Sequence, residues 1–231
     1  MPKGKLIVIE GIDGAGKSTQ VKMLAKALKE YGKVTVFKFP RYDKFFGTFV
    51  KACLHGKFGD FRNLNPFISA LPHILDHASA KDEILEALKQ GNVICDRFSP
   101  SNMAYQLAKL PDDASENDFL TLHDFLEAAD KELGIPKPDL VIILNIPPDV
   151  ASRLKTKKNN SGKNKQSKDQ YEADIKYQEK VASAYDTLVY DKFWHEMNCY
   201  NATLSKPLSK KYIHNRILKE CVSFLKLKKP A

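Results

Sequence analysis

The chain has 231 residues, 43% of them hydrophobic and 28% charged, with a formal net charge of +9. That length holds one large domain or two small ones, and a core of this size folds without disulfides or metals as staples. The apolar run in the opening MPKGKLIVIEG is too short for a signal peptide and no later stretch could span a bilayer, so a cytoplasmic protein with no membrane partner is expected.

The cysteines, Cys53, Cys95, Cys199 and Cys221, show no CxxC pair and read as buried or inert thiols in a reducing compartment. The positive charge admits nucleic acid as a partner, but its distribution argues otherwise. Six lysines crowd into KTKKNNSGKNKQSK (155–168), a polar segment without aromatics that reads as a mobile loop, not a base-stacking platform. Arginine is scarce: only Arg41, Arg62, Arg97, Arg153 and Arg216. Because arginine offers a rigid fork for phosphate and lysine only a point charge, any arginine beside a motif gains interest.

In chain order, KLIVIE (5–10) is a continuous apolar run, as expected of a strand buried on both faces. A glycine-rich turn follows, then a helix over 17–31 with Val21, Leu24, Ala25 and Leu28 on one face, stopped by Gly32. VTVFKF (34–39) is a second strand, and a long helix is expected over about 66–90, ending at Gly91. NVICD (92–96) is a third strand and DLVIILNI (139–146) a fourth. Between them SENDFLTLHDFLEAADKEL is amphipathic, with Ser115 as its cap and Gly134 as its stop. A helix over about 169–188, a weak strand near CYNAT and a helix over about 208–227 complete the pattern. Strands alternating with helices predict an α/β fold: a parallel central sheet with helices on both faces. With no repeat or linker, one domain is expected over 1–231, with the lysine-rich segment as its most mobile insertion.

GIDGAGKS (11–18) fits G-x-x-x-x-G-K-[ST] and lies between the first strand and first helix, the context that a phosphate-binding loop requires. Gly11, Gly14 and Gly16 let backbone N–H groups turn toward phosphate oxygens, and the helix N-terminus adds partial positive charge. Lys17 is expected at the β- and γ-phosphates and Ser18 on Mg²⁺. The ATP-binding set is then Gly11, Ile12, Asp13, Gly14, Ala15, Gly16, Lys17, Ser18 and Thr19. A GTPase would need Asn-Lys-x-Asp after a late strand, where this chain has NIPPDV. In VICDRF, Asp96 can organise Mg²⁺ or its waters with Ser18, and Arg97 can clamp a phosphate beside the one transferred; a surface salt bridge is the plainer alternative.

These motifs resemble the thymidylate kinase family, through GIDGAGKSTQ, FPRY (39–42), DRFSPSNMAYQLAK (96–109), PKPDLVIILNI and KDQYEADIKYQEKVASAY (168–185), in the expected order along most of the chain. The resemblance implies a P-loop NTPase fold with a short lid at about 153–170, and ATP- and Mg²⁺-dependent conversion of dTMP to dTDP. It implies a homodimer as well. It further implies that Asp13 lies beside the dTMP phosphate and sugar, that Arg41 and Arg97 hold the acceptor phosphate, and that Phe39 and Tyr42 line the monophosphate site. Asn102 would face the pyrimidine edge, Tyr105 would pack under the deoxyribose, and Tyr171 and Glu172 would close the site.

Some positions depart from the family pattern. Position 15, an arginine in some members, is Ala15, so the missing charge should come from the lid, with Arg153 and the lysines from Lys155 to Lys168 as candidates. In LPHILDHASA (71–80), His73 aligns with the family's base-stacking aromatic and His77 with its arginine. Imidazole stacks more weakly than phenyl, and neutral His77 offers one hydrogen bond where arginine brings a charged fork. The pair also has the i, i+4 spacing of zinc ligands, but no other histidine or cysteine supplies partner spacing. Asn145 stands where members often have aspartate. The alternatives are a monophosphate or nucleoside kinase of other specificity, and a non-catalytic ATP- or nucleic-acid-binding protein.

Overall fold

The computed structural model describes residues 4–161, 169–189 and 192–228. Its centre is a sheet of strands β1 (Leu6–Glu10), β2 (Val34–Lys38), β3 (Asn92–Asp96), β4 (Leu140–Asn145) and β5 (Trp194–Asn198), in the order β2-β3-β1-β4-β5. Every neighbouring pair is parallel, with Ile7 in register with Ile94 on one side and Leu140 on the other. Every residue of β1 and β3 is buried, so both faces of the sheet are covered, as the continuous apolar runs predict.

The chain leaves β1 toward β2 and β3, then crosses to the opposite side for β4 and β5. This reversal opens a crevice beyond the C-terminal ends of β1 and β3, where such sheets bind ligands. The segments leaving those strands are the GIDGAGKS loop and the Asp96–Arg97 pair, so topology alone brings the two motifs together.

Helices α1 (Lys17–Leu28), α2 (Phe45–Leu54), α3 (Pro66–Gln90), α4 (Ser99–Leu107) and α5 (Glu116–Glu132) precede β4. After it come α6 (Pro148–Ser161), α7 (Gln170–Ala173), α8 (Ile175–Leu188) and α9 (Lys210–Phe224), with a small antiparallel pair, β6 (Tyr200–Asn201) and β7 (Lys206–Pro207), ahead of α9. The expected caps form: Ser115 and Asp118 make a capping box on α5, and Gly134 beyond it takes φ 68°. All the cysteines named above are free and buried.

The structure differs from the sequence reading in places. Periodicity gave no signal for α2, α4 or α6. The expected helix over 169–188 is two, because the Asp174 side chain accepts from the Tyr177 N–H and starts α8 afresh. The strand expected near CYNAT is present as β6 (Tyr200–Asn201), but it pairs outside the central sheet, and the sheet strand β5 at Trp194–Asn198, just before it, was not expected. The lysine-rich stretch is not a loop at its start: α6 carries it as helix through Ser161. The rest of that stretch, 162–168, lies outside the described residues, as does the side chain of Glu172.

Candidate active site

The loop after β1 has Gly11, Gly14 and Gly16 at positive φ. At Gly14 a side chain is excluded twice over, by φ 90° and by the Ala151 carbonyl oxygen of α6, which would lie 2.2 Å from a Cβ. The helix that follows has Gly16 as N-cap with no side chain capping it, which leaves its first N–H groups for an anion. Lys17 is folded onto the loop, its Nζ donating to the carbonyls of Gly11 (2.9 Å) and Ile12 (2.8 Å). Burial, helped by the Arg97 charge, lowers its pKa to about 8.

Ser18 Oγ donates to Asp96 Oδ2 at 2.6 Å, joining helix α1 to the end of β3. A hydroxyl and a carboxylate side by side at the mouth of a phosphate loop are hard oxygen donors, which fits Mg²⁺, a cation that otherwise prefers water and phosphate oxygens.

The next residue, Arg97, takes φ 66°, a left-handed conformation rare for a side chain of its size. That turn aims the guanidinium across the crevice. Its Nη2 donates to Asp13 Oδ1 at 2.8 Å and to the Tyr105 hydroxyl at 3.2 Å, and Nη1 to Ser101 Oγ at 3.1 Å. The Tyr105 hydroxyl donates in turn to Asp13 Oδ2. Burial by itself would raise the Asp13 carboxyl, but the charges of Arg97, Lys17 and Lys155 outweigh it and hold the group well below the usual carboxylate range. From α8, Gln178 accepts the Asp13 backbone N–H (3.1 Å) and donates to the Tyr171 carbonyl (3.0 Å), tying the loop to α7.

Asp13, Lys17, Ser18, Asp96, Arg97 and Ser101 line one end of a cavity of about 520 Å³. Phe39, Tyr42, His73, His77, Phe98, Asn102, Tyr105 and Tyr171 line it as well. His77 is 3% exposed, with its ring 5.0 Å from that of Phe39 and 4.9 Å from that of Phe98, and its Nδ1 has no hydrogen-bond partner. Burial, with His73 and Arg41 nearby, pushes its pKa well below 6.5. His73 is lowered to about 3 by burial, Lys109 and Arg97. Both are neutral imidazoles at neutral pH, and among the described residues no cluster of three or more His, Cys, Asp or Glu could hold a metal ion. The Asn102 amide is engaged already, donating to the Ala70 carbonyl at 3.3 Å and accepting from Gln106 at 3.0 Å.

A cavity with a phosphate loop at one end and aromatic walls at the other fits a nucleotide acceptor. The thymidylate kinase family model matches residues 9–205. The chain belongs to that family. The thymidylate kinase of Mycobacterium tuberculosis is 34% identical over 190 residues, covering 79% of this chain and 85% of the relative. That of Schizosaccharomyces pombe is 29% identical over 218 residues, 94% of this chain and 90% of its own. A solved thymidylate kinase from Candida albicans superposes with a TM-score of 0.70 at 22% identity, over 99% of this chain and 95% of that one, and shares the fold. The function is that of the family, phosphorylation of dTMP.

Within this kinase the structure sorts the expected residues. Asp13, Gly14, Gly16, Lys17, Ser18 and Thr19 line the cavity, and Gly11, Ile12 and Ala15 do not. Arg41 is not brought to the cavity: Asp76 and Glu83 capture it. Its Nη1 pairs with Glu83 Oε1 at 2.8 Å, its Nη2 donates to Ser79 Oγ at 2.8 Å, and its backbone N–H donates to Asp76 Oδ2 at 2.8 Å. Arg153 also turns away, half a turn of helix too early, and pairs on the surface with Asp149 at 2.9 Å. Two residues on, Lys155 does line the cavity, with Nζ 3.8 Å from Asp13 Oδ1. Sequence reasoning missed Glu10 and Ser101, which buttress Arg97, and Gln178. For Glu10 a signal was present, a lone acid closing an apolar strand just before the loop. No described helix is long and apolar enough to cross a membrane.

Proposed function

We propose that the chain transfers the γ-phosphoryl group of ATP, held with Mg²⁺ at the 11–18 loop, to the phosphate of dTMP lying along the cavity. The bond from the γ-phosphorus to the β,γ-bridging oxygen breaks, a bond to an acceptor phosphate oxygen forms, and ADP and dTDP leave. The observation that carries this reading is Arg97, half-buried where the loop meets the aromatic cavity and braced by Asp13, Ser101 and Tyr105.

Phosphoryl transfer asks a protein chiefly for positioning and for positive charge around an in-line transition state. Lys17 leaves the loop carbonyls to meet the donor phosphates. Ser18 and Asp96 would hold the metal, which when bound neutralises charge on the donor phosphates. Arg97 orients the acceptor phosphate, and Asp13 orients Arg97. With Ala15 uncharged and Arg153 on the surface, Lys155 is the lid-side cation of the transfer. Tyr105 and Tyr171 wall the sugar, and His73 and His77 face the base. A neutral imidazole reads a carbonyl with one bond, which supports broader base tolerance than an arginine would allow.

The assembly proposed is a homodimer. Ile68, Leu71 and Leu75 form an exposed apolar row on α3, and Phe45 (81% exposed) and Phe49 are exposed on α2, which packs on α3. A self-complementary row of this kind suits a second copy of the chain. A cytoplasmic location suits its free thiols. The test of function is ADP production with ATP–Mg²⁺ and dTMP, dUMP, UMP, CMP, AMP or GMP. Turnover led by dTMP is expected; no turnover with any acceptor overturns the reading.

A further inference from the structure

Glu10 closes β1, immediately before the phosphate loop, and is fully buried. It does not reach the cavity, yet both of its carboxylate oxygens are in use. Oε1 accepts the backbone N–H of Phe98 at 2.9 Å and of Ser101 at 3.1 Å. Oε2 accepts the hydroxyls of Ser101 and, at 2.9 Å, Tyr185 of α8.

The first two donors are the N-terminal N–H groups of α4. Its N-cap, Phe98, has no capping side chain, and Pro100 in the first turn has no N–H. A carboxylate 88 residues earlier in the chain therefore caps the helix that carries Ser101, Asn102 and Tyr105. The same carboxylate reaches Arg97. Ser101 Oγ donates to Glu10 and accepts from Arg97 Nη1. Arg97 is thus braced on two sides, at Nη2 by Asp13 of the loop and Tyr105, and at Nη1 by Ser101 of α4, which Glu10 of the strand beneath holds in place. One brace leaves a guanidinium free to rotate about a single contact; two fix its plane.

We propose that Glu10 is a positioning residue for phosphoryl transfer, which through Ser101 and the cap of α4 fixes the orientation of the Arg97 guanidinium. The proposal rests on the acceptor-side role of Arg97 given above. Glutamine in its place keeps one acceptor oxygen for the two backbone N–H groups. It then turns an NH₂ toward hydroxyls that now donate to a carboxylate, so the cap survives and the brace does not.

The experiment compares wild type, Glu10→Gln, Arg97→Lys and the double variant in steady-state turnover of the best acceptor from the panel. Thermal unfolding of each variant is measured alongside. Glu10→Gln should lower kcat by about tenfold to a hundredfold, a cost in the range of misplaced catalytic groups, with the KM for ATP within about twofold. In the Arg97→Lys background, where the fork is already gone, the same change should cost less than about threefold. An equal loss in both backgrounds, or full kcat in folded Glu10→Gln, overturns the proposal. Should Glu10→Gln fail to fold, Tyr185→Phe removes a single donor to Oε2 and should lower kcat about threefold or more, again only while Arg97 is present; unchanged kcat there also overturns it. A wild-type chain with no turnover contradicts the Arg97 reading instead, before Glu10 is in question.

Discussion

Arg97 Nη2 lies 2.8 Å from Asp13 Oδ1, joining residues 84 apart in the chain. One belongs to the GIDGAGKS loop after β1, the other to the turn after β3. The contact is 15% exposed on the arginine side and 22% on the aspartate side. A pair so shielded is weakly screened by salt. It is a brace between the two motifs of the site.

Lys155, not Arg153, should matter to the transfer. Lys155→Ala is expected to lower kcat by about a hundredfold, the scale of losing one charge-stabilising group. Arg153→Ala, which removes an exposed pair worth at most about 1 kcal/mol, should leave kcat within about twofold. Steady-state kinetics of the two variants decide the matter, and the reverse ranking would return the role to Arg153.

Arg41→Ala should act on stability more than on the acceptor. Asp76 is 1% exposed, and removing its cationic partner leaves a carboxylate buried among α3 and the Pro40–Tyr42 turn. Such a loss costs about 3 kcal/mol. Denaturant unfolding should show it, while the KM for dTMP rises less than in Arg97→Ala. A large rise in KM with unchanged stability would mean that Arg41 leaves Glu83 for the acceptor phosphate during turnover.

Lys17 should take up a proton when ATP binds. Its pKa of about 8 in the free chain lies below its ordinary 10.5, so between those values a fraction of the molecules carry neutral lysine. Donor phosphates favour the charged form and raise the value. Calorimetric titration at pH 9 in buffers of different ionisation enthalpy should show uptake. Lys17→Met should show none.

His77 should stay neutral through the working range, so the KM for dTMP should be flat between about pH 6 and pH 8 as far as this residue is concerned. Its folded-state pKa lies below 6.5, so the unfolded chain binds the proton that the folded chain refuses. The stability is therefore complete above pH 6.5 and falls as the pH drops below it, by up to about 1.4 kcal/mol per pH unit. His77→Phe should flatten the acid limb of thermal unfolding. His77→Arg should raise affinity for dTMP; unchanged or weaker binding would place the base elsewhere.

Much of this was legible in the sequence where the cause is local. The 11–18 loop follows from glycines, lysine and serine at fixed spacing, and α5 from Ser115 and its apolar stripe. What could not be read depends on distant partners. Helix α4 begins at a proline-containing turn capped by Glu10 from a distant strand, so SPSNMAYQL offers Pro100 as a start signal but no capping side chain of its own. Helix α6 has a polar, lysine-rich sequence, and its place is set where Ala151 meets Gly14. Arg41 fits an acceptor role by motif, but Asp76 and Glu83 reach it from α3, and carboxylates one or two turns apart on a helix give no warning of what they will bind. The histidine pair keeps its helical spacing. Packing against Phe39 and Phe98 makes His77 a wall of the cavity.

The most direct measurement is dTMP-dependent ADP formation by wild type and Arg97→Ala, side by side, with ATP affinity measured on both. The wild type should turn over dTMP, and the variant should lose at least about a hundredfold in kcat/KM for dTMP while binding ATP within about threefold of wild type. No dTMP-dependent turnover in the wild type would contradict the account, and so would a variant that keeps its turnover or that loses ATP instead of acceptor.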